Sequence, residues 1–167
     1  MIFYCIICGK EMYKKMDCDF CGSPKRYVKG NKKPLLLSLK RVSGKLAMIA
    51  NIGINIELGL YKFYSLAYEK TDENKVKDLF KKLSELSFNR AVVLKRIYTG
   101  EEKSYEEKAS DSLLENLSTA MKKEEHASLI YFNLSREVKS KNVSKFLKIV
   151  SEIHENNMKL LRENLIS

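Results

Sequence analysis

The chain has 167 residues, of which 44% are hydrophobic and 31% charged, and its formal net charge is +10. This length has room for one small module and one core of ordinary size, and the balance of apolar and charged residues excludes a disordered chain. Two prolines, seven glycines and no tryptophan favour long helices and argue against a β sandwich.

Two Cys-x-x-Cys pairs stand near the start of the chain, Cys5 with Cys8 and Cys18 with Cys21. They include all four cysteines, nine residues separate them, and a glycine follows each pair. Four thiolates at two tight turns form a closed tetrahedral site, the usual environment of structural zinc or of a single iron ion. The alternative is a pair of disulfides in a secreted protein. We disfavour it because we see no signal peptide and because the remaining chain is rich in Lys and Glu.

Residues 1–28 form the predicted metal module. A unit of this size buries too little apolar surface to fold alone, so we expect the metal to supply much of its folding energy. The most apolar run, Leu46 to Leu60, is too short and too polar to span a bilayer. We therefore expect a cytoplasmic protein without membrane contact, in which a cluster of four cysteines indicates one Fe or Zn ion.

Eight basic residues and no acidic residue lie between Lys25 and Lys45. Gly30-Asn31 interrupts them, and we interpret residues 29–37 as a basic linker and helix start before a helical domain at 38–167. One interpretation of the basic stretch is a nucleic-acid patch. We favour a solvated hinge, because few aromatic residues lie between the basic ones.

Apolar residues at spacings of three and four then predict four helices. Their approximate bounds are Pro34–Lys70 for helix A, Asp72 or Glu73 to Tyr98 for helix B, Ser110–Ser140 for helix C and Val143–Asn164 for helix D. Phe146, Ile149, Ile153 and Leu160 are the predicted inward residues of helix D. Thr99-Gly100 ends helix B, and Glu101 to Lys108 is a crossover. Short A–B and C–D turns with this longer connection predict a mostly α fold, a ferritin-like four-helix bundle.

Three charged residues fall on the inward stripes: Glu57 on helix A, Arg90 on helix B and Glu124 on helix C. Burying an unpaired charge is costly, so we expect these side chains to contact one another or a metal. Two carboxylates from opposed helices are half of a carboxylate-bridged di-iron site. A guanidinium between them favours another arrangement, in which Arg90 replaces the metal charge and hydrogen-bonds both carboxylates.

The chain resembles rubrerythrins, which join a rubredoxin-like four-cysteine module to a ferritin-like di-iron bundle. The resemblance rests on Tyr4-Cys5-x-x-Cys8-Gly9 and Cys18-x-x-Cys21-Gly22-Ser23-Pro24-Lys25, with the module before the bundle as in the reversed-order members. In the bundle, Glu57 and Tyr64 resemble a ligand glutamate and its tyrosine on helix A. Asn116-Leu117 followed by Glu124 resembles helix C. The resemblance implies peroxide reduction at two irons, with electrons delivered through the thiolate-bound iron.

The departures from this family concern the other ligands. Members carry Glu-x-x-His on helices B and D and a second glutamate on helix C. The corresponding positions are Ser87 and Arg90 on helix B, Ile153 and Asn156 on helix D, and Ala127 on helix C. A one-residue slip would offer Glu152, His154 or Glu155 on helix D, but such a slip turns each side chain by about 100° around the helix. The only histidines, His126 and His154, stand outside any Glu-x-x-His motif, and we expect both at the surface. We therefore expect no di-iron centre.

The favoured hypothesis is a rubrerythrin-like protein with one four-cysteine iron or zinc site and a degenerate bundle site at Glu57, Glu124, Arg90, Tyr64 and Ser87. It would lack normal peroxidase activity, and it would act in electron transfer with a redox partner or as a binding or scaffold protein. The alternatives are an active peroxide-reducing di-iron oxidoreductase and a zinc-ribbon nucleic-acid-binding protein. We name no catalytic residue, and we expect a homodimer.

Overall fold

The computed structural model describes residues 1–37, 39, 42, 44–98, 100 and 106–166. The described chain begins with a small sheet of strands β1 (Phe3–Cys5), β2 (Glu11–Met12) and β3 (Val28–Lys29). β1 lies in the middle and pairs antiparallel with both neighbours. A 3₁₀ turn at Lys25–Tyr27 leads into β3. Cys5 ends β1 and Cys8 lies in the turn that follows, whereas Cys18 and Cys21 lie in the loop between β2 and β3.

Within the described ranges, four helices follow the sheet: α1 (Gly44–Glu69), α2 (Asn74–Lys95), α3 (Leu113–Glu137) and α4 (Lys141–Ile166). Glu73 caps α2, since its side chain accepts hydrogen bonds from the backbone N–H groups of Lys75 and Val76. Ser112 caps α3 in the same way through the N–H of Glu115. The protein is thus mostly α-helical, with a small antiparallel sheet beside a cysteine cluster.

The first helix begins at Gly44, so the prediction that it starts near Pro34 was wrong. Residues 35–37 form a turn, and the N–H of Leu35 donates to the carbonyl of Ile6 at 2.8 Å. Pro34 lies so close to the first cysteine loop that a Cβ on Gly9 would be 2.9 Å from its Cγ. The segment around Leu35 packs along the metal module because its backbone has a hydrogen-bond partner there. Lys40 and Arg41 of the predicted basic stretch lie outside the described residues.

The helices form two antiparallel hairpins, α1 with α2 and α3 with α4. Between hairpins, Glu57 contacts Tyr131 and Tyr64 contacts Glu124, so α1 and α3 run in opposite directions. The connection between the hairpins is the long one, as predicted, although Thr99 and residues 101–105 of it lie outside the described residues. One inward assignment was wrong: Leu160 is 41% exposed, and its neighbour Leu161 is buried instead.

The core consists of two clusters of apolar side chains. One contains the four cysteines with Ile6, Ile7 and Val28, and it continues into the bundle through residues such as Ile54 and Ile153. The other surrounds Phe63, Phe80 and Leu117 farther along the helices. The metal module therefore shares its core with one end of the bundle. No helix in the described part of the chain is long and apolar enough to cross a membrane.

Candidate metal centre and buried ionic network

Each cysteine pair forms a knuckle whose backbone turns back on itself. The N–H of Gly9 donates to the carbonyl of Cys5 at 2.9 Å, and the N–H of Gly22 donates to that of Cys18 at 2.8 Å. Both glycines have positive φ, 83° and 80°, which other residues rarely adopt. In the first knuckle the N–H of Lys10 lies 3.5 Å from the Cys8 sulfur, as expected for a loop that directs amides at a thiolate.

The four sulfur atoms have the spacing of a metal site. Cys5 Sγ lies 3.6 Å from Cys21 Sγ, Cys8 Sγ lies 3.6 Å from Cys18 Sγ, and all four are within 4.8 Å of one another. A disulfide would require about 2.0 Å. Thiolates about 2.3 Å from a central ion stand about 3.8 Å apart at the corners of a tetrahedron. All four side chains are buried, so the cluster is a closed site positioned to bind one metal ion.

The four crowded thiols shift one another's pKa values. Hydrogen bonds from Cys18 and Cys21 favour a thiolate at Cys5 and lower its pKa. The contact with Cys18 is the main cause of a raised pKa at Cys8. The pKa of Cys18 is lowered like that of Cys5, and the pKa of Cys21 is raised like that of Cys8. Two thiolates therefore form at the expense of their two neighbours, and a cation is needed before all four can ionise together.

Side chains from α2 and from the residue directly after it hold the two knuckles against the bundle. Arg90 Nη1 donates to the carbonyl of Cys21 at 3.1 Å, and Asn89 Nδ2 donates to that of Phe20 at 2.8 Å. Just beyond the end of α2, Arg96 Nη1 donates to the carbonyl of Cys8 at 2.7 Å. The second cysteine of each pair is thus fixed through its backbone by an arginine.

Arg90 also connects the metal module to a buried ionic network. It is 2% exposed, and its Nε donates to Glu57 Oε2 at 2.9 Å while its Nη2 donates to Ser87 Oγ at 3.0 Å. The expected contact between Arg90 and Glu57 is therefore present. The expectation that Arg90 also hydrogen-bonds Glu124 was wrong, because the described partners of that carboxylate are Tyr64, His154 and Asn157.

His154 lies between the two carboxylates, so its predicted surface position was wrong. Its Nδ1 is 2.5 Å from Glu124 Oε2, and its Nε2 is 3.1 Å from Glu57 Oε1. A carboxylate oxygen only accepts hydrogen bonds, so both ring nitrogens must donate, and the imidazole carries a proton on each. His154 and Arg90 then balance the charges of Glu57 and Glu124. The other histidine, His126, is exposed as predicted.

The pKa shifts agree with this protonation pattern. Burial alone lowers the pKa of His154, but the two carboxylates outweigh it and raise that pKa above its ordinary value. Burial raises the pKa of Glu57, and Arg90 and His154 together reverse this and leave it lowered. Burial likewise lowers the pKa of Arg90, and Glu57 and Glu124 more than compensate. All three groups are therefore stabilised in their charged forms.

Two tyrosines complete the network with an approximate two-fold pattern. On α1, Tyr64 follows Glu57 by seven residues, and on α3 Tyr131 follows Glu124 by seven. The hydroxyl of each tyrosine donates a hydrogen bond to the carboxylate on the other helix. Tyr131 donates to Glu57 at 3.0 Å, and Tyr64 donates to Glu124 at 2.5 Å. Burial, reinforced by the adjacent carboxylates, raises the pKa of both phenols well above the usual range. Both therefore stay protonated and act as donors.

The side chains that α2 and α4 contribute to the ionic network also follow a related spacing in the sequence. Ser87 and Arg90 stand three residues apart on α2, as Ser151 and His154 do on α4. The prediction that Ile153 and Asn156 occupy the facing positions of the fourth helix was wrong, because His154 contacts both carboxylates. Ile153 packs on Gly22 of the second knuckle, so it belongs to the interface with the metal module. His154 was detectable from spacing, since it lies seven residues from Leu147 and from Leu161, which are both buried.

The fold of this chain has a counterpart among solved protein structures. No family model matches it, and no curated protein matches it. One solved structure is similar, that of a hypothetical protein, Pfu-1136390-001, from Pyrococcus furiosus. The TM-score is 0.60 and the identity 19%, over 72% of this chain and 88% of the other. At this identity the likeness concerns the fold alone.

Proposed function

We propose that this protein is a rubrerythrin-like, ferritin-like bundle protein that keeps the thiolate metal site and has lost the di-iron centre. One iron or zinc ion is held by Cys5, Cys8, Cys18 and Cys21. Inside the bundle, Arg90 and a protonated His154 replace the charge of two metal ions between Glu57 and Glu124. The protein acts in electron transfer or as a binding protein, without peroxidase activity.

The observation that carries this proposal is the complete set of protein donors around both carboxylates. Glu57 accepts from Arg90, Tyr131 and His154, and Glu124 accepts from Tyr64, His154 and Asn157. A metal ion at either carboxylate would have to displace these donors. It would also lie beside the fixed charge of Arg90, which is strongly unfavourable in a buried site.

Whether the cysteines hold iron or zinc decides between electron transfer and a binding role. Iron bound by four thiolates exchanges one electron, and the protein would then pass electrons to or from a partner. Zinc has no redox chemistry, and the site would then stabilise the fold of a binding protein. The colour of the purified protein separates the cases, since ferric iron with thiolate ligands absorbs visible light and zinc does not.

Metal analysis of the purified full chain tests the proposal. We expect one metal ion per chain and no reduction of hydrogen peroxide. Three irons per chain would mean that the bundle holds a di-iron site, and the proposal would be wrong. The Cys18→Ser variant is the control: it should lose its metal, whereas full occupancy in that variant would place the ion outside the cysteine cluster and contradict the assignment.

A further inference from the structure

A cavity of about 570 Å³ lies beside the first cysteine knuckle. Its walls come from the knuckle, from residues 31–34, 36, 37 and 39, and from the end of α2 with the two residues that follow it, and we call it the knuckle pocket. Its floor is apolar, formed by side chains such as Ile7, Leu36, Val93 and Ile97. This volume and lining are typical of pockets for small organic ligands, which range from about 300 to 1,000 Å³.

The rim of the knuckle pocket is positively charged. Lys32, Lys33 and Arg96 line it, and all three are exposed. No acidic side chain of the described residues is part of the lining. The hydrogen bond from Arg96 Nη1 to the carbonyl of Cys8 holds that guanidinium at the rim. A ligand with one anionic group would therefore find cations at the mouth of the pocket.

The apolar character continues from the pocket into the bundle. A second, small cavity of about 20 Å³ shares Leu36, Leu39 and Ile97 with the knuckle pocket, and apolar side chains alone line it. At the outer edge Leu37 is 63% exposed although it is a large aliphatic residue. A ligand that covered Leu37 and extended over Leu36 would remove apolar surface from water, which is favourable.

From these features we infer that the knuckle pocket binds an amphipathic anion, namely a linear aliphatic chain that ends in a carboxylate. The carboxylate lies at Lys32 and Lys33, and the chain lies over Leu36, Val93 and Ile97. A nucleic acid fits less well, because Tyr4 is the single aromatic side chain in the described lining and bases bind such sites by stacking. This site goes beyond the proposed function and does not depend on which metal the cysteines hold.

Calorimetric titration of the metal-loaded full chain with hexanoate, octanoate and decanoate tests the inference. We expect one site per chain and an affinity that rises about fourfold for each added methylene group, as burial of apolar surface predicts. Decanol, which has the chain without the charge, should bind more weakly than decanoate. Equal affinity for the three acids, or for decanol and decanoate, would contradict the proposal.

Two variants locate the site on surface residues whose replacement leaves the fold intact. The Lys32→Gln/Lys33→Gln double variant should weaken decanoate binding by about fivefold to tenfold and leave decanol unaffected. The matched control is Lys148→Gln/Lys159→Gln, two exposed lysines on α4, which should bind decanoate normally. Leu37→Gln should weaken decanoate more than hexanoate. An equal loss in both lysine pairs would show general charge attraction and overturn the inference, as would binding of an acidic peptide without any binding of decanoate.

Discussion

Arg90 donates one hydrogen bond to the carbonyl of Cys21 and another to the carboxylate of Glu57, at 3.1 and 2.9 Å. One guanidinium thus joins the backbone of the metal loop to the ionic network of the bundle. Beside it, a Cβ on Gly22 would lie 3.4 Å from both Ile153 and Leu86. The module and the bundle therefore share a buried contact in which any displacement of the second knuckle disturbs a charged pair.

Arg90→Met should be strongly destabilising. The substitution leaves Glu57 buried with one positive partner fewer, and breaking a buried ion pair in this way costs about 3–5 kcal/mol. The measurement is the free energy of unfolding in denaturant, with the metal site loaded. Arg162→Met, at an exposed position on α4, is the matched control and should change it by less than about 0.5 kcal/mol.

The companion variant Glu57→Gln/Arg90→Met also removes the negative charge of Glu57, which Arg90→Met alone leaves without its guanidinium partner. It should recover part of the lost stability, because the protonated His154 and the Glu124 carboxylate then remain as a balanced buried pair. If Arg90→Met were as stable as the control, the guanidinium would not be compensating the carboxylate, and the account of the network would be wrong.

Stability should depend on pH through His154. Its pKa is raised above the ordinary value of 6.5, so the folded protein retains a proton that the unfolded chain loses. The stability that His154 contributes in this way is fully present below about pH 6.5 and is lost as the pH rises through the folded-state pKa of its imidazole. In that interval the unfolding free energy should fall by up to about 1.4 kcal/mol per pH unit.

The test compares the pH dependence of unfolding in the wild type and in His154→Gln. The variant should lack this decline, while His126→Gln, at an exposed position, should retain it. Glu57 acts in the opposite direction: its pKa is lowered, so its contribution is present above its ordinary value of 4.5 and is lost as the pH falls through the folded-state pKa. Identical curves for the wild type and His154→Gln would show that the imidazole is uncharged in the folded protein.

Tyr64→Phe and Tyr131→Phe should each destabilise the protein by about 1.5–3 kcal/mol. Each removes one hydrogen bond to a buried carboxylate and leaves that acceptor without its donor. Thermal and denaturant unfolding measure the effect. Tyr13→Phe, where the ring is 85% exposed, should be nearly neutral. A neutral result at both buried tyrosines would mean that the phenols do not stabilise the charged network.

Two glycines of α1 should respond in opposite directions to alanine. Alanine favours a helix by about 1 kcal/mol relative to glycine. Among the described residues, an added Cβ at Gly59 meets only Glu107 Oε1, at 3.5 Å, so Gly59→Ala should gain most of this ~1 kcal/mol in stability. An added Cβ at Gly53 would lie 2.8 Å from Leu94 Cδ1 and 3.0 Å from the Tyr131 hydroxyl. Overpacking costs about 1–3 kcal/mol, so Gly53→Ala should lower the unfolding free energy. A gain at Gly53 equal to that at Gly59 would contradict the close approach of Tyr131.

The amino-acid sequence alone was sufficient for features that depend on local spacing. The two Cys-x-x-Cys pairs predicted a four-cysteine metal cluster, because a knuckle needs only a few adjacent residues and a glycine that tolerates positive φ. The helical spacing predicted four helices and the order of short and long connections. The cost of a buried charge predicted that Arg90 meets Glu57.

Other features depended on how the helices pack against one another. Spacing determines which residues share a face of α4, but the rotation of α4 about its axis depends on three other helices and the metal module. That rotation brings His154 between two carboxylates and turns Leu160 outward. The crossed pairs of Tyr64 with Glu124 and Tyr131 with Glu57, and the bond from Arg90 to Cys21, join groups 60 to 74 residues apart in sequence. Only the tertiary structure decides such contacts, because many distant side chains satisfy the same local pattern and close packing selects among them.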